Sequence, residues 1–187
     1  NVNSLKVRLT HVLDWFNLNQ PDVLCLQETK QNNDNFPHDV FENKGLFSYH
    51  NGQNTYNGVA LISNKALIDV QTDIPNFYDE QKRLISGVYS NDENSKFRVI
   101  SAYVPNGQSL NSDKFEYKMN WLNSFISFLQ KKIDGVENII TGDFNIAPTK
   151  LDCYDSKSWD GKILVSPQER EYFHKLINLG FIDTFRE

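Results

Sequence analysis

Three short motifs combine polar side chains with a spacing that could build a reactive site. Gln27-Glu28-Thr29 sets a carboxylate directly after the apolar run Val23-Leu24-Cys25-Leu26, where an unpaired charge would be costly to bury. In Gly142-Asp143-Phe144-Asn145 the glycine lets the backbone turn tightly, and two polar side chains at i and i+2 point to one side. Tyr103-Val104-Pro105-Asn106-Gly107 carries a phenol at the end of an apolar run that leads into a turn. Each has an ordinary alternative: a strand-end acid facing water, an Asx-turn closing a loop, and a buried core tyrosine. Together they supply hard oxygen ligands of the kind that suit Mg2+ or Mn2+, whereas zinc would want His or Cys. The four histidines, His11, His38, His50 and His174, lack ligand spacing, which also removes a Ser-His-Asp arrangement, and no Gly-rich phosphate loop is present. The chemistry left is metal-assisted hydrolysis of a phosphate ester, with a metal polarising a phosphoryl oxygen and a carboxylate orienting or deprotonating water.

Such motifs need elements to position them. Leu5, Leu9, Val12, Leu13 and Phe16 recur at helical spacing and predict an amphipathic helix over 4–19, stopped by Pro21. The run Val23-Leu24-Cys25-Leu26 then reads as a short strand buried on both faces and ends at Glu28. A second helix is predicted from Asp113, with Asp113 capping and Glu116 reaching back, and with Leu122, Phe125, Ile126, Leu129 and Ile133 as its apolar stripe. Gly135 follows it, and Asn138-Ile139-Ile140 leads to Asp143. The same phrase therefore occurs twice: helix, short buried strand, carboxylate at the strand's C-terminal end. Further strand-like runs lie at 58–63, 84–89 and 97–104, separated by Asn, Asp and Gly turns. Ser166-Pro167-Gln168-Glu169 is a capping box with Pro at the first helical position, opening a last helix that ends near Gly180. Residues 146–165 form a long connection carrying Lys150, Lys157, Trp159 and Lys162. These elements give one α/β domain with helices outside sheets.

Composition bounds the answer further. The 187 residues include 3 Trp, 8 Tyr and 13 Phe, enough aromatic area for a sizeable core. Two cysteines, one in an apolar run and one in a polar loop, suit a reducing compartment better than a disulfide scaffold. No stretch approaches the roughly 18 apolar residues of a membrane helix, and no basic-then-apolar leader is present, so the expectation is a cytoplasmic protein away from the membrane, and a monomer. The net charge of −5 argues against nucleic acid only weakly, because a bound divalent metal reverses the local field in a carboxylate site.

The motifs, taken in order along the chain, resemble the exonuclease III family of DNA-repair nucleases, within the endonuclease/exonuclease/phosphatase superfamily. The resemblance rests on Asn1-Val2-Asn3-Ser4-Leu5, Gln20 to Lys30, Tyr56-Asn57-Gly58-Val59-Ala60, Ala102 to Gly107, Gly142-Asp143-Phe144-Asn145-Ile146-Ala147-Pro148, Glu169-Arg170, and Gly180 to Arg186. It implies a four-layer α/β sandwich, two packed and mostly antiparallel sheets flanked by helices. It also implies Mg2+-dependent hydrolysis of DNA phosphodiesters, with Mn2+ as a substitute: incision at abasic sites and 3′-to-5′ removal of nucleotides from duplex DNA. By position, Glu28 is expected as metal ligand with Asn1 close to metal and phosphate. Tyr103 would stabilise the scissile phosphate, Asp143 would activate water, and Asn145 would hold a phosphate oxygen or the water. Asp143 and Asn145 also count among the metal-side residues. Arg83, Asn106, Lys114 and Trp159 are expected to meet DNA, acting in a cytoplasmic, nucleoid-associated setting.

One departure accompanies these matches. The family pattern continues with an Arg-Ile-Asp segment and a Ser-Asp-His segment that add acids and a histidine, and neither occurs here. The expectation is therefore a single nuclease domain over 1–187 that is incomplete at both ends and lacks its last strands. Two alternatives share the motifs: a phosphoesterase of the same fold acting on a lipid or inositol phosphate, and a noncatalytic DNA-binding remnant.

Overall fold

The computed structural model describes residues 1–91, 95–132 and 135–187. In chain order it contains α1 (Leu5–Asn19), β1 (Val23–Gln27), α2 (His38–Glu42), β2 (Phe47–Asn51), β3 (Val59–Ser63), β4 (Ile68–Thr72), β5 (Leu84–Ser90), β6 (Lys96–Tyr103), α3 (Asp113–Lys132), β7 (Glu137–Asp143), α4 (Ser156–Trp159) and α5 (Pro167–Asn178). The residues fall into two compact units: Asn1–Tyr103 with Lys132–Asp143, and Val104–Lys131 with Phe144–Glu187.

The first unit holds both sheets. One has the order β1-β3-β2 and is antiparallel throughout; the other has the order β4-β5-β6-β7 and is antiparallel except for β6 and β7. Because side chains alternate across a strand, β1 and β3 each feed two cores. Leu26, Ala60 and Ile62 face Leu5, Val12 and Phe16 of α1, with Leu9, Leu13 and Leu24 packed at the margin. Val59 and Leu61 join Ile85, Tyr89 and Val99 between the sheets, with Val23 and Cys25 beside them. The 23–26 run therefore packs on both faces, though only Leu26 of its four residues is fully buried, and the helix stripe packs as its spacing requires; the 138–140 run, expected to be buried, is not, because β7 lies at the sheet's edge with Ile139 exposed. Gln20 adopts the left-handed conformation, φ 46°, and its N–H returns to Phe16 O. Pro21 disfavours the helical conformation in the residue before it, which ends α1 there. Burial inside this core pushes the Cys25 thiol up to about 11, so it is an inert packing group.

Two strands had no sequence signal. β2, Phe-Ser-Tyr-His-Asn, and β4, Ile-Asp-Val-Gln-Thr, lie at sheet edges, where one neighbour suffices and polar residues are tolerated. β4 also carries a register shift between Ile68 and Gln71, which breaks any alternation.

The second unit is helical. α3 buries Phe115, Met119, Trp121, Leu122, Phe125, Phe128 and Leu129, and α5 buries Tyr172 and Leu176. The Tyr172 hydroxyl donates to Asn123 Oδ1 of α3 at 2.8 Å. Of the stripe expected for α3, Ile133 lies outside the described residues. The cap of α3 differs from expectation: Ser112, not Asp113, accepts from the Phe115 N–H at 3.2 Å, because the Ser112 hydroxyl sits one residue before the first helical position. The α5 capping box forms as read, with Ser166 accepting from the Glu169 N–H and Glu169 from that of Ser166. The long 146–165 connection contains a 3-10 turn, Lys150–Asp152, capped by Thr149, and the four-residue α4, capped by Asp155. Among the described residues no helix is long and apolar enough to cross a membrane.

Candidate active site

The cluster in the first unit begins at the end of β1. Gln27 is the last residue of the strand, and Glu28 turns the chain with φ 57°, a left-handed conformation uncommon outside glycine. Such a residue persists only where its surroundings hold it. Here the Glu28 carbonyl accepts from Ser4 N at 2.8 Å, Thr29 N donates to Gly58 O at 3.2 Å, and Lys30 N to Asn57 O at 3.0 Å. The buried Thr29 hydroxyl adds a 2.8 Å bond with His50 Nε2. Gly58 is required by this close approach, since a Cβ there would lie 2.1 Å from Thr29 Oγ1. The segment before α1 runs beside the same turn, with Val2 N donating to Gln27 O at 2.9 Å and Leu5 N to Thr29 O at 3.0 Å.

That pairing delivers Asn1 between two carboxylates. Its Nδ2 donates to Glu28 Oε1 at 2.7 Å and to Asp143 Oδ2 at 2.9 Å, so one amide bridges the ends of β1 and β7. The parallel register sets Tyr103 opposite Asp143 and Ala102 opposite Gly142. A Cβ on Gly142 would sit 1.9 Å from Ala102 O, so only glycine fits beside β6 there. The Tyr103 hydroxyl donates to Glu28 Oε1 at 3.0 Å. Lys30 Nζ lies 3.1 Å from Glu28 Oε2. Burial would raise the Glu28 carboxyl, but hydrogen bonds from Asn1, Lys30 and Tyr103, together with the Lys30 charge, hold it below its usual value. Burial and the hydrogen bond to Glu28 push the Tyr103 phenol up to about 12, so it is a neutral donor at neutral pH.

Arg83 is buried behind this cluster. Its guanidinium lies over the Tyr103 ring at 4.6 Å, donates to Tyr103 O at 3.2 Å, and meets Gln81 Oε1 through Nε at 3.0 Å and Nη2 at 2.7 Å.

In the second unit the structure brings Asn106 and Asn145 together. Asn106 Nδ2 donates to Asn145 Oδ1 at 3.3 Å, and Asn145 Nδ2 to Val104 O at 2.9 Å, with Asn145 itself left-handed at φ 48°. Lys114, near the start of α3, and Trp159, at the end of α4, are exposed.

The residues present fit a hard divalent cation. Around the Asn1 amide the available donors are carboxylate, amide and phenol oxygens, and its N–H groups already lie between two anionic groups where a cation would relieve their repulsion. Among the described residues no three or more His, Cys, Asp and Glu side chains are grouped so as to hold a metal ion, so here two carboxylates would act with amide and phenol oxygens. A sparse oxygen set suits Mg2+, which keeps several waters and takes one or two carboxylates.

Sequence reading missed Lys30, the Thr29–His50 bond, and a buried ion pair of Lys118 with Glu169. The last had a signal: Lys118 falls on the apolar stripe of α3 beside Phe115, Met119 and Leu122, and a lysine there must find a partner.

Residues 1–181 match the model of the Endonuclease/Exonuclease/phosphatase family. Exodeoxyribonuclease III of Haemophilus influenzae is 33% identical, with all of this chain aligned to 73% of that one. Among solved structures, a 3′ phosphatase from Neisseria, NExo, bound to a product DNA hairpin, superposes with a TM-score of 0.95 at 39% identity, covering 100% of this chain and 71% of that chain. An AP endonuclease from Archaeoglobus fulgidus gives 0.92 at 33% identity, covering 100% and 71%. The bridged Asn1–Glu28–Asp143 cluster thus sits on a fold shared with DNA-processing hydrolases, and the chain belongs to the endonuclease/exonuclease/phosphatase family.

Proposed function

We propose that this chain is a Mg2+-dependent DNA-repair nuclease that hydrolyses phosphodiesters at abasic sites and at 3′ ends of duplex DNA. The observation that carries the reading is the single amide of Asn1 joining Glu28 and Asp143, with the Tyr103 hydroxyl on the same Glu28 oxygen. The relatives support the substrate class, since their names describe DNA exonucleases, AP endonucleases and a 3′ phosphatase.

Glu28 and Asn1 would hold the metal, with Asp143 on the other side of the amide. When bound, Mg2+ supplies Lewis-acid polarisation of a phosphoryl oxygen and charge compensation for the leaving oxyanion. Asp143 orients a water and accepts its proton, acting as general base. Tyr103, neutral to high pH, donates a hydrogen bond to a phosphate oxygen, and Arg83 fixes the ring from behind. Asn145 holds a phosphate oxygen or the attacking water, and Asn106, Lys114 and Trp159 contact the DNA. The reading includes action as a monomer in the cytoplasm.

The test offers two substrates side by side with Mg2+: a duplex containing one abasic site and a lipid phosphoester. Incision of the duplex, stopped by EDTA and restored by Mg2+, is the expected result. Turnover of the lipid alone would overturn the proposal.

A further inference from the structure

Lys118 and Glu169 are both fully buried, with Nζ and Oε1 2.5 Å apart. Buried ion pairs add little stability, because desolvation of the two ions offsets much of their attraction, and an apolar pair of similar volume often does as well. What this pair does have is reach. Lys118 Nζ also donates to Asn145 O at 2.7 Å and to Asn106 O at 3.2 Å, the backbone carbonyls of two residues assigned above to phosphate and DNA. On the other side, Glu169 Oε1 accepts from Leu164 N at 3.0 Å, and Oε2 from Ser166 N at 3.1 Å and Ser166 Oγ at 2.7 Å. Leu164 O in turn accepts from Ala147 N at 2.8 Å, and Ala147 O from Arg170 Nε at 3.0 Å. One ammonium thus ties the loop after β6, the turn after β7 and the start of α5 to a single point.

We propose that Lys118 and Glu169 are a positioning pair that fixes the backbone of Asn106 and Asn145 so that their side-chain amides are presented in one orientation. The assignment rests on the nuclease reading for its kinetic consequence, but not for its structural one. Neither residue touches substrate. Asn145 makes the shorter of the two carbonyl bonds to the ammonium, and its left-handed backbone, φ 48°, is one that asparagine accepts readily once held. Fixing it through the main chain leaves the amide hydrogens and oxygen to bond Val104 O, Asn106 and a ligand.

Removing one charge alone would strand the other, so the informative variant is the double one, Lys118→Met with Glu169→Gln. The Gln oxygen can still accept from Leu164 N or Ser166, so the α5 cap survives. In the full chain, the side-chain amide signals of Asn106 and Asn145, assigned through Asn106→Ala and Asn145→Ala, are followed by 15N NMR beside those of Asn51 and Asn57 in the first unit. Movement of the Asn106 and Asn145 signals with the Asn51 and Asn57 signals in place is expected; an unmoved Asn145 signal in a folded double variant overturns the pair's role. On an abasic duplex, kcat should fall about 10- to 100-fold with KM within about threefold, and Asn145→Ala should cost less than about threefold more in that background, because residues acting through one another are not additive. An unchanged kcat, or full additivity, overturns the kinetic part. Should the unsubstituted protein leave the duplex intact, the nuclease reading falls while the NMR comparison still decides the positioning claim. Lys118→Met alone, which removes the grip on both carbonyls while Glu169 keeps its bonds from Leu164 N, Ser166 N and Ser166 Oγ, serves if the double variant does not fold; an Asn145 signal that stays put there overturns the claim as well.

Discussion

The two units hold their functional side chains in opposite ways. In the first, the groups bond one another directly: Asn1 with Glu28 and Asp143, Tyr103 with Glu28, Lys30 with Glu28. In the second, Asn106 and Asn145 are neutral, and the charges that fix them, Lys118 and Glu169, are buried and grip their main chain. The first arrangement leaves two carboxylates near one another at the surface, an arrangement whose charge state a cation can set. The second completes the charge compensation of Lys118 and Glu169 inside the protein, and at Asn106 and Asn145 it presents amides. On the nuclease reading proposed above, proton transfer would fall to the first and orientation by neutral amides to the second.

The contrast is most exposed to Asp143→Asn. If Asp143 is the base, kcat for abasic-site incision in single-turnover assays falls about 10²- to 10⁴-fold, the usual contribution of a general base. Asn145→Ala should lose distinctly less. Equal losses at both positions would erase the distinction between the units.

Metal dependence separates them next. Glu28→Gln removes a charged ligand, so the Mg2+ concentration for half-maximal rate should rise by about tenfold or more, whereas Asn145→Ala should leave it within about twofold. A titration showing the same shift for both would place a metal ligand in the second unit. Tyr103→Phe deletes one hydrogen bond to an anion, about 1.5–3 kcal/mol, or roughly 10- to 100-fold in rate, less than the loss expected at Asp143. Because its phenol is raised to about 12, the rate should show no loss from phenol ionisation as pH rises from 7 to 10.

How much of this was legible follows from sequence distance and exposure. Glu28 and Asp143 could be read because each follows a short apolar run that forms a strand, although β7 itself is not buried. Their meeting through Asn1 joins residues 142 positions apart, and only the family resemblance pointed to Asn1. α1 and α5 were readable from periodicity and capping, which are local. β2 and β4 were not, because their short sequences are rich in polar residues, and a register shift in β4 breaks its alternation. Lys118 could be recognised as a misplaced charge on an apolar stripe, but its partner lies 51 residues away, and Glu169 already had a local explanation as a cap. Arg83 was expected at DNA through the family resemblance alone, and the structure instead buries it; its ring contact with Tyr103 depends on the β5–β6 pairing.

The smallest effect concerns His50, whose bond to Thr29 supports the turn at Glu28. Its ring stacks on Phe36 with centroids 4.1 Å apart, and its Nδ1 is buried without a hydrogen-bond partner. Burial, with the neighbouring His38 charge adding to it, lowers its pKa from 6.5 to about 3, so the folded protein holds the ring neutral while the unfolded chain protonates it. Between pH 3 and 6.5 the unfolded state therefore binds more protons, and stability rises with pH across that window, which means that it is lost as pH falls below 6.5. Hydrogen exchange should show the amides of β1, β2 and β3 losing protection as pH drops from 7 to 5. His50→Gln keeps a polar partner for Thr29 but cannot titrate, so it should flatten that slope even if it lowers protection at pH 7. A slope unchanged by the substitution would show that acid sensitivity in the first unit comes from its carboxylates, and the buried imidazole would then be only a packing group beneath Glu28.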